Sequence, residues 1–484
     1  MTVLNHALAR PQSSAQSGGW TPVREAEVTL VDQLTEHLRS RIRNHGLRPG
    51  ARLPSVRTMA VEAGVSRFTV VQAYDRLVAQ GLVQSRRGAG FYVCARLLTA
   101  ATPATPSLSL EGAFDTAFLL RSMFREDMGP DMPGGVGLLP AHWLDHELVA
   151  GAMRAVGRSV GRSILGYGVP QGMRALRQQI GSALQMQDVP AHPDHHLMTV
   201  AGVTQGLDLI VRTLVRPGDT VLVEDPGWFL IFGRLSSAGI RVVGVPRLAD
   251  GPDVQALAHM AEVHRPKLFI LNTAVHNPTG HTLSAGVAYE VLRIAERHDF
   301  LLVEDDTYAD FHPGAPVRLA ALDRLNRVLL VGGYSKTLAA SLRVGYIAAH
   351  ADLINKLVDI KLLSGLTTPE MGEQVLHRIL VDGQYRRHVD RLRNRVDQAR
   401  DALLKALLKL DFTVDTEPRA GMFIWADCGS DSEVLARRAA QVGLLLAPGV
   451  LFSPLQLPSS KLRISVAALE NRKGWQMLET LVRP

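Results

Sequence analysis

Apolar residues in the first hundred positions recur three and four residues apart in three segments, which is the spacing of a helix with one buried face. The first segment runs from Val31 to Ile42. Ser55 begins a shorter second helix, and Ser66 is placed to cap a third helix that runs to about Gln80. The sequence therefore predicts three successive helices near the N-terminus.

Two short β-like runs follow the third helix, at 82–85 and 91–93, and the sequence RRGAG joins them. Three helices followed by a hairpin with a basic, glycine-rich tip are typical of a winged helix-turn-helix. We place this domain at residues 25–95.

A stretch without charge separates this domain from the rest of the chain. From Leu97 to about Leu110 the sequence is LLTAATPATPSLSL, a composition of small residues, threonine and proline that does not form a packed core. We therefore predict a linker over residues 96–125 and a second domain over residues 126–484.

The second domain alternates helical patterns with short, continuous apolar runs, which are typical of strands buried on both faces. This alternation predicts an α/β domain with a mostly parallel sheet. The predicted strands lie at 197–200, 220–223, 268–271, 301–303 and 328–331.

The composition excludes several classes of protein. The 484 residues are 46% hydrophobic and 20% charged, which is typical of folded globular proteins and not of disordered or fibrous ones. Cys94 and Cys428 are too few for a disulfide framework and fit a reducing compartment. Neither a signal peptide nor a run of about 18 apolar residues is found in the sequence. We therefore expect a soluble, cytoplasmic protein without a membrane span.

Charge is concentrated at the N-terminus. The whole chain carries a net charge of +7, and residues 1–95 hold 12 arginines, no lysine and 6 acidic residues, which is +6 in one fifth of the length. An arginine-rich block of this kind indicates a polyanionic partner.

The helix pattern identifies which residues would meet such a partner. The third helix of a helix-turn-helix presents its N-terminal end to the base edges of the major groove. Arg67 is suited to a guanine edge, Ser66 and Thr69 to a phosphate or a base, and Arg52 and Arg57 to the DNA backbone. The residues predicted to bind duplex DNA, including a wing tip suited to the minor groove, are Arg52, Ser55, Arg57, Ser66, Arg67, Thr69, Arg87 and Gly88.

The run PGARLPSVRTMAVEAGVSRFTVVQAYDRLVAQGLVQSRRGAGFYV resembles the winged-helix domain of the GntR family of bacterial regulators. The resemblance implies that this domain binds DNA. A winged helix that serves only protein contacts is the alternative.

One lysine of the second domain has a setting that needs an explanation. Lys336 follows a predicted strand in the sequence GGYSK, and the carboxyl ends of strands are where open α/β sheets bind ligands. Another strand end carries Asp305, and a third opens a helix at Thr204, whose free amide groups suit a phosphate.

These residues match the requirements of pyridoxal 5'-phosphate. The aldehyde needs a lysine amine, the pyridinium nitrogen a carboxylate, the phenolic oxygen hydrogen-bond donors, the phosphate an anion site and the ring an aromatic plate. Lys336 and Asp305 are the expected catalytic residues. The residues predicted to bind the cofactor are Lys336, Asp305, Tyr308, Asn277, Trp228, Val203, Thr204, Ser335 and Arg343.

From about Gly134 onwards the chain resembles the fold-type I aminotransferases of the aspartate aminotransferase superfamily. The resemblance implies that Tyr167, in GYGVPQG, reaches the cofactor phosphate of a neighbouring subunit. It also implies that Arg463, in LRIS, binds a substrate carboxylate, for which a bidentate guanidinium is suited. An Arg463 engaged in a surface ion pair is the alternative. The sequence departs from the family pattern at Trp228, where tyrosine or phenylalanine is common, and at Gly333, where many relatives carry a hydroxyl.

A GntR-type winged helix, a linker and an aminotransferase-like domain in this order resemble the MocR subfamily of GntR regulators. The resemblance implies a head-to-tail homodimer that holds pyridoxal 5'-phosphate and senses an amino compound or a B6 vitamer through aldimine chemistry. A PLP-dependent DNA-binding transcriptional regulator is therefore the expected function, with weak transaminase activity possible. A working aminotransferase that carries a DNA-binding domain is one alternative, and an enzyme whose winged helix only mediates assembly is another.

A cluster of His192, Asp194, His195 and His196 has the composition of a metal site. It lies in a proline-bounded loop without a further set of ligands nearby, and we expect no metal. His276, which precedes Asn277, is as consistent with a structural role as with a contact to the cofactor ring.

Overall fold

The computed structural model describes residues 22–23, 28–43, 47, 50–86, 89–94, 135, 137–159 and 165–483. The chain divides into two compact units, Met1–Glu111 and Gly112–Pro484, which are described separately below. The predicted linker at 96–125 lies outside the described residues. The predicted domain boundaries therefore stay predictions.

The N-terminal unit is a small three-helix domain with a β-hairpin. The residues 51–53 pair with the second strand, so that Leu53 N donates to Phe91 O at 2.8 Å and Val93 N to Ala51 O at 2.9 Å. Its elements are α1 (Leu30–Arg43), α2 (Val56–Glu62), α3 (Arg67–Ala79), β1 (Val83–Arg86) and β2 (Gly90–Val93), with β1 and β2 antiparallel. This arrangement confirms the winged helix-turn-helix that the sequence predicts.

The apolar faces of the three helices form the core of this unit. Leu34 and Leu38 of α1 pack with Tyr74 and Leu77 of α3, and all four side chains are buried. The hydroxyl of Tyr74 donates to Pro54 O at 2.9 Å, so the buried ring has a partner for its polar group. The predicted helical spacing thus corresponds to one continuous core.

The larger unit is built around an eight-stranded sheet. Its strand order is β3-β10-β9-β8-β7-β4-β5-β6, in which β9, β8, β7, β4 and β5 are parallel neighbours and β10 is antiparallel to both β3 and β9. The strands are β3 (Leu197–Val200), β4 (Thr220–Asp225), β5 (Arg241–Leu248), β6 (Gly251–Pro252), β7 (Leu268–Leu271), β8 (Leu301–Asp305), β9 (Val328–Gly333) and β10 (Gly345–Ala348).

Helices cover both faces of this sheet, and its central strands are therefore apolar on both sides. In β4, Val221 and Val223 belong to one hydrophobic cluster, and Leu222 belongs to the cluster on the opposite face. The helices up to the last strand of the sheet are α4 (His146–Ser159), α5 (Arg174–Gln185), α6 (Val203–Leu214), α7 (Phe229–Ser237), α8 (Val254–His264), α9 (Ala285–Arg297) and α10 (Leu319–Leu322).

The C-terminal part of the unit carries a second, smaller sheet. The antiparallel strands β11 (Phe423–Asp427) and β12 (Ala447–Pro448) lie on either side of β13 (Lys461–Ser465). The remaining helices are α11 (Ala351–Gly365), α12 (Glu370–Val381), α13 (Gln384–Leu408), α14 (Ser432–Gln441) and α15 (Arg472–Val482). The α/β class and the mostly parallel sheet agree with the sequence prediction. Within the described ranges, no helix is long and apolar enough to cross a membrane.

Candidate functional site

The polar residues predicted at the strand ends share one edge of the large sheet. Because β4, β7, β8 and β9 are parallel neighbours, their carboxyl ends meet at the same edge. Trp228 follows β4, Asn277 follows β7, Asp305 ends β8 and Lys336 follows β9. This edge is therefore the candidate cofactor site.

Lys336 lies at this edge with its side chain partly accessible. Its Nζ donates to the carbonyl of Gly137 at 2.6 Å. Burial, and next the positive charge of Arg463, lower the pKa of Lys336 to about 8. A larger share of this amine is thus unprotonated at neutral pH than for an exposed lysine, which is the form that reacts with an aldehyde.

Asp305 supplies the carboxylate of the site. It is buried, and its Oδ1 accepts hydrogen bonds from the backbone N of Thr307 at 2.9 Å and the Thr307 hydroxyl at 2.5 Å. Burial raises the pKa of Asp305, while these hydrogen bonds and the charge of Lys336 act to lower it. A buried carboxylate of this kind is suited to a cationic partner.

Arg463 projects from β13 of the small sheet into the same site and is 2% exposed. Its Nη1 donates to Asn277 Oδ1 at 3.0 Å, and its Nη2 donates to the carbonyl of Gly135 at 2.8 Å. The guanidinium carbon lies 4.3 Å from the ring centre of Phe423 and 5.0 Å from that of Phe452. Burial lowers the pKa of Arg463 to about 10. Because its described partners are neutral, the alternative of a surface ion pair does not apply.

Two glycines that precede α4 lie beside the lysine and the arginine. A Cβ placed on Gly137 would lie 3.8 Å from Lys336 Nζ and 4.0 Å from Arg463 Nη2. The carbonyl of Gly137 accepts a hydrogen bond from Lys336, and the carbonyl of Gly135 accepts one from Arg463. The two glycines therefore contact both cations of the site. The sequence analysis gave these glycines no role.

Asn277 and Tyr308 form a polar pair beside Arg463. The amide of Asn277 donates to the Tyr308 hydroxyl at 3.3 Å, and both residues are buried. Trp228, Asn277, Asp305 and Tyr308 line one cavity at the carboxyl ends of the strands. Four of the predicted cofactor residues are thus brought together.

Glu224, Asn272 and His276 line the same cavity and belong to a buried network that the sequence patterns did not predict. Asn272 donates from its amide to the backbone carbonyl of Asp305 at 2.5 Å, and its Oδ1 accepts from the backbone N of Asn277 at 2.9 Å. Its own backbone N donates to Glu224 Oε2 at 2.7 Å, and Glu224 forms a buried ion pair with Arg247. Asn272 directly follows β7, which is the one sequence signal of its position.

The contacts of this network explain why the pKa of Glu224 is low. Burial acts to raise the pKa of this carboxyl, but the charge of Arg247, the contact with His276 and the hydrogen bond from the Asn272 backbone together outweigh burial and hold the pKa at about 2. His276, whose Nε2 lies 3.4 Å from Glu224 Oε2, pairs through Nδ1 with the Thr279 hydroxyl at 2.8 Å. Burial lowers the pKa of His276 to about 4, so its ring is neutral at physiological pH. His276 thus belongs to the structural network.

The start of α6 and Arg343 form a site suited to an anion. Gly202 caps α6 with a φ of +85°, and a Cβ there would lie 2.7 Å from Arg343 Nη2. The Nη2 atom donates to Ala201 O at 2.8 Å, which holds the guanidinium beside the first turn at Val203 and Thr204. Free amide groups of a helix N-terminus and an arginine together suit a phosphate.

The end of β9 approaches the same first turn of α6. A Cβ on Gly333 would lie 3.2 Å from Val203 Cγ2, so a larger residue at 333 would crowd α6. This close approach is a physical reason for the departure from the family pattern at this position. Ser335 follows in the same segment and is partly accessible.

Tyr167 is not brought into the site by its own chain. It is 83% exposed, and the neighbouring Gly168 lies against the loop before α12, with Thr368 O at 3.6 Å from a Cβ placed on the glycine. Of the described residues predicted for the cofactor, only Tyr167 and Arg343 are exposed, and the others are buried or partly buried.

The histidine-rich loop before β3 holds ion pairs and ring contacts. Asp194 pairs with Arg174 at 2.8 Å, and the hydrogen bond from Arg174 lowers the pKa of Asp194 to about 2. The rings of His192 and His195 stack with their centres 4.7 Å apart. Over the described part of the chain, no group of three metal-binding side chains is close enough to hold an ion.

In the N-terminal unit, several predicted DNA contacts lie on the surface. Arg52, Arg57 and Arg67 are exposed, and the Arg52 guanidinium lies along the hairpin, with its Nε 3.4 Å from a Cβ placed on Gly90. Arg67 is the first residue of α3. These three cations therefore flank the second and third helices.

The predicted hydroxyl groups mainly cap helices. Ser55 Oγ accepts from Thr58 N at 3.1 Å and caps α2, and Ser66 Oγ accepts from Thr69 N at 3.0 Å and caps α3. Thr69 is buried, with its hydroxyl 2.8 Å from Ser66 Oγ, so this side chain is turned toward the cap. Arg87 and Gly88, the predicted wing tip, lie outside the described residues.

Comparison with known proteins identifies both units. The family model for bacterial regulatory proteins of the gntR family matches residues 30–93. The model for aminotransferase class I and II matches residues 140–481. The chain belongs to the aminotransferase class I and II family. The two matches, in this order along one chain, confirm the MocR-type architecture that the sequence predicts.

Relatives with the same architecture cover nearly the whole chain. The HTH-type transcriptional regulator YisV of Bacillus subtilis (strain 168), which is described as uncharacterized, is 26% identical over 467 residues, 93% of this chain and 95% of the relative. The probable rhizopine catabolism regulatory protein MocR of Rhizobium meliloti is 29% identical over 443 residues, 89% of this chain and 87% of the relative.

A solved structure relates the larger unit to a cofactor. LysN, an α-aminoadipate aminotransferase from Thermus thermophilus, was solved in complex with N-(5'-phosphopyridoxyl)-L-leucine. It is 26% identical to this chain with a TM-score of 0.69, over 75% of this chain and 94% of that chain. Aminotransferases of this family depend on pyridoxal 5'-phosphate, which confirms the predicted cofactor.

The residues at the sheet edge fit this cofactor. Gly202, at the start of α6, has a φ of +85°, which favours glycine, and the absence of a side chain leaves the first turn open to a phosphate beside Arg343. Arg463 Nε is buried and has no hydrogen-bond partner among the described residues, so one donor in the site is left for a ligand.

Proposed function

We propose that this protein is a transcriptional regulator that binds duplex DNA through its winged helix and whose aminotransferase domain senses an amino compound or a B6 vitamer. The observation that carries the proposal is the combination, on one chain, of Lys336, Asp305 and Arg463 at one sheet edge with a GntR-type domain. The relatives of full length, which are named as regulators, favour it over a working aminotransferase. Because its proposed partner is DNA, we expect the protein in the cytoplasm.

The cofactor would supply an aldehyde and an electron sink. We propose that Lys336 holds the aldehyde carbon, for which its lowered pKa keeps the amine reactive, and that Asp305 faces the pyridinium nitrogen. Asn277 and Tyr308 would donate to the phenolic oxygen, and Trp228 would stack on the ring. The phosphate would be held by Val203, Thr204, Ser335 and Arg343.

Arg463 is the proposed group for a ligand carboxylate. Its buried Nε, together with the aromatic rings around it, supports this role because a guanidinium in such surroundings gains from an anionic partner. An amino acid whose carboxylate reaches Arg463 would compete for the hydrogen bond that this guanidinium makes to the carbonyl of Gly135. Gly135 lies ten residues after the predicted linker in the sequence, and we propose that this contact couples the ligand to the DNA-binding domain.

We propose that the regulator is a head-to-tail homodimer. Leu165, Tyr167 and Leu363 are each more than four-fifths exposed, and Gly168 contacts the loop that follows α11. The end of α11 also approaches α6, since a Cβ placed on Gly365 would lie 3.6 Å from Nε2 of Gln205. An apolar surface beside the proposed phosphate site supports a second subunit that covers it and brings in its Tyr167.

The proposal can be tested on one preparation of the full chain loaded with pyridoxal 5'-phosphate. Amino acids and B6 vitamers are titrated while binding to duplex DNA from upstream of its own gene is followed, and turnover of amino donor with 2-oxo acid is measured in parallel. We expect one amino compound to change DNA affinity by about 5 to 150-fold, the usual range of coupling. Turnover, if any, should be slow.

Variants separate sensing from DNA binding. Lys336→Ala and Arg463→Ala should keep DNA affinity but lose the response to the amino compound, whereas Arg216→Ala, a change of an exposed arginine, should keep both. Fast steady turnover with DNA affinity indifferent to the donor would instead identify a working aminotransferase. Failure of the full chain to bind any duplex would exclude a regulator.

A further inference from the structure

The outward face of α3 carries a large apolar side chain at its N-terminal end. Phe68 is 70% exposed, although the adjacent Val70 is fully buried. Val71 is 39% exposed, and Gln72 is exposed as well. Residues three and four apart share a helix face, so Phe68, Val71 and Gln72 lie side by side on the surface of α3.

This aromatic ring has no evident role in the fold of its domain. Among the described residues, Phe68 is absent from the hydrophobic cluster that Leu34, Leu38, Tyr74 and Leu77 build. A phenylalanine ring left in water contributes nothing to stability through burial. A contact with a partner would give the ring a physical role at this position.

The charge around Phe68 indicates what the partner is. Arg67 precedes it at the start of α3, and Arg52 and Arg57 are exposed near the start of α2. Residues 1–95 carry a net charge of +6. An apolar group surrounded by exposed cations on a recognition helix is complementary to the major groove, where phosphates flank base edges.

We propose that Phe68 reads the C5-methyl group of a thymine in the major groove and so selects an A·T pair at one position of the bound site. Thymine is the one standard base that presents a methyl group in this groove, and apolar side chains recognise it by contact. Gln72, on the same face, is suited to the edge of an adenine. The inference rests on the proposed DNA-binding function.

The test removes the methyl group without changing base pairing. A duplex bound by the full-length protein is first selected from a random library, and each thymine of the selected sequence is then replaced in turn by deoxyuridine. At one position we expect the affinity of the wild-type protein to fall about fourfold, the effect of losing one buried methyl group. Thymines at other positions should tolerate the replacement.

Protein variants link this effect to Phe68. The difference between thymine and uracil at the sensitive position should vanish for Phe68→Ala and persist for Phe68→Leu, which keeps an apolar side chain. Val61→Ala, which removes another exposed apolar side chain of the domain, should behave as the wild type. If Phe68→Ala binds too weakly for this comparison, a repeated selection with Phe68→Ser, whose hydroxyl favours no single base, should lose the preference for A·T at that position alone.

The possible results are distinct. A wild-type protein indifferent to uracil at every position overturns the inference, and so does a Phe68→Ala variant that keeps the full difference or a Phe68→Ser selection that keeps the A·T preference. A selection that enriches no sequence at all contradicts the proposed function itself. The failure of the inference can therefore be told apart from the failure of the function.

Discussion

Replacement of Arg247 by methionine tests the network behind the cofactor site. The Arg247 side chain is 0% exposed and that of Glu224 is 4% exposed, so the variant leaves a carboxylate buried without its cation. Breaking such a pair from one side costs about 3 to 5 kcal/mol of the free energy of unfolding. Arg247 Nη1 also donates to Asn272 O at 3.1 Å, so the change removes a hydrogen bond from the residue that holds Asp305 and Asn277.

The loss of stability in Arg247→Met depends on whether the Glu224 carboxyl is ionised. Arg247, with the contacts from His276 and Asn272, holds the pKa of Glu224 at about 2, below its ordinary value, so in the wild type ionised Glu224 stabilises the fold above its ordinary pKa and this contribution is lost as the pH falls toward 2. Without Arg247, burial raises the pKa of Glu224. The variant therefore protonates Glu224 at a higher pH than the wild type does, and the loss of stability should shrink as the pH falls.

Urea unfolding of the apoprotein can measure this loss. Four of the five tryptophans follow residue 111, so their fluorescence reports on the larger unit. The double variant Glu224→Gln with Arg247→Met buries no charge and should be more stable than Arg247→Met alone. A single variant within about 1 kcal/mol of the wild type at pH 7, or a double variant less stable than the single one, would refute the reasoning.

Two further predictions concern the cofactor and the DNA. Purified protein should be yellow, and borohydride should fix the cofactor onto the peptide that contains Lys336, whereas Lys336→Ala should bind it only non-covalently; label on another peptide would show the assignment to be wrong. Arg67→Ala should lower affinity for the selected duplex by about 1 to 3 kcal/mol and relax specificity, while Arg52→Ala should mainly flatten the salt dependence. A footprint unchanged by Arg67→Ala would remove its base-reading role.

The sequence predicted the elements whose pattern is local. The runs at 197–200 and 268–271 coincide with β3 and β7, because strands buried on both faces are apolar at every position. The strand β5 was missed because it contains Gly244 and Pro246, which disfavour a strand prediction. The antiparallel β10 was missed as well, since a run of four residues that begins at Gly345 has little signal of its own.

Site residues could be predicted from the sequence where they directly follow a strand. They were harder to predict where two partners come from segments distant in the sequence. Lys336 and Asp305 could be found because parallel strands bring their carboxyl ends to one edge. The pairing of Arg247 with Glu224 depends on the register of β5 on β4, which local sequence does not encode. Similarly, the burial of Thr69 follows from the cap with Ser66, which competes with any contact to DNA.

The position of Gly135 bears on how a small ligand could act on DNA affinity. A ligand shifts a conformational equilibrium only by its difference in affinity for the two states. Arg463 extends from the small sheet and donates a hydrogen bond to the carbonyl of Gly135. A ligand carboxylate that engages Arg463 competes with this carbonyl for the guanidinium. The ligand therefore binds less tightly to a state in which Arg463 holds Gly135 than to a state in which Gly135 is released. Since a hydrogen bond from a charged donor contributes about 1.5 to 3 kcal/mol, competition for this one donor is of the same size as a typical coupling free energy of about 1 to 3 kcal/mol.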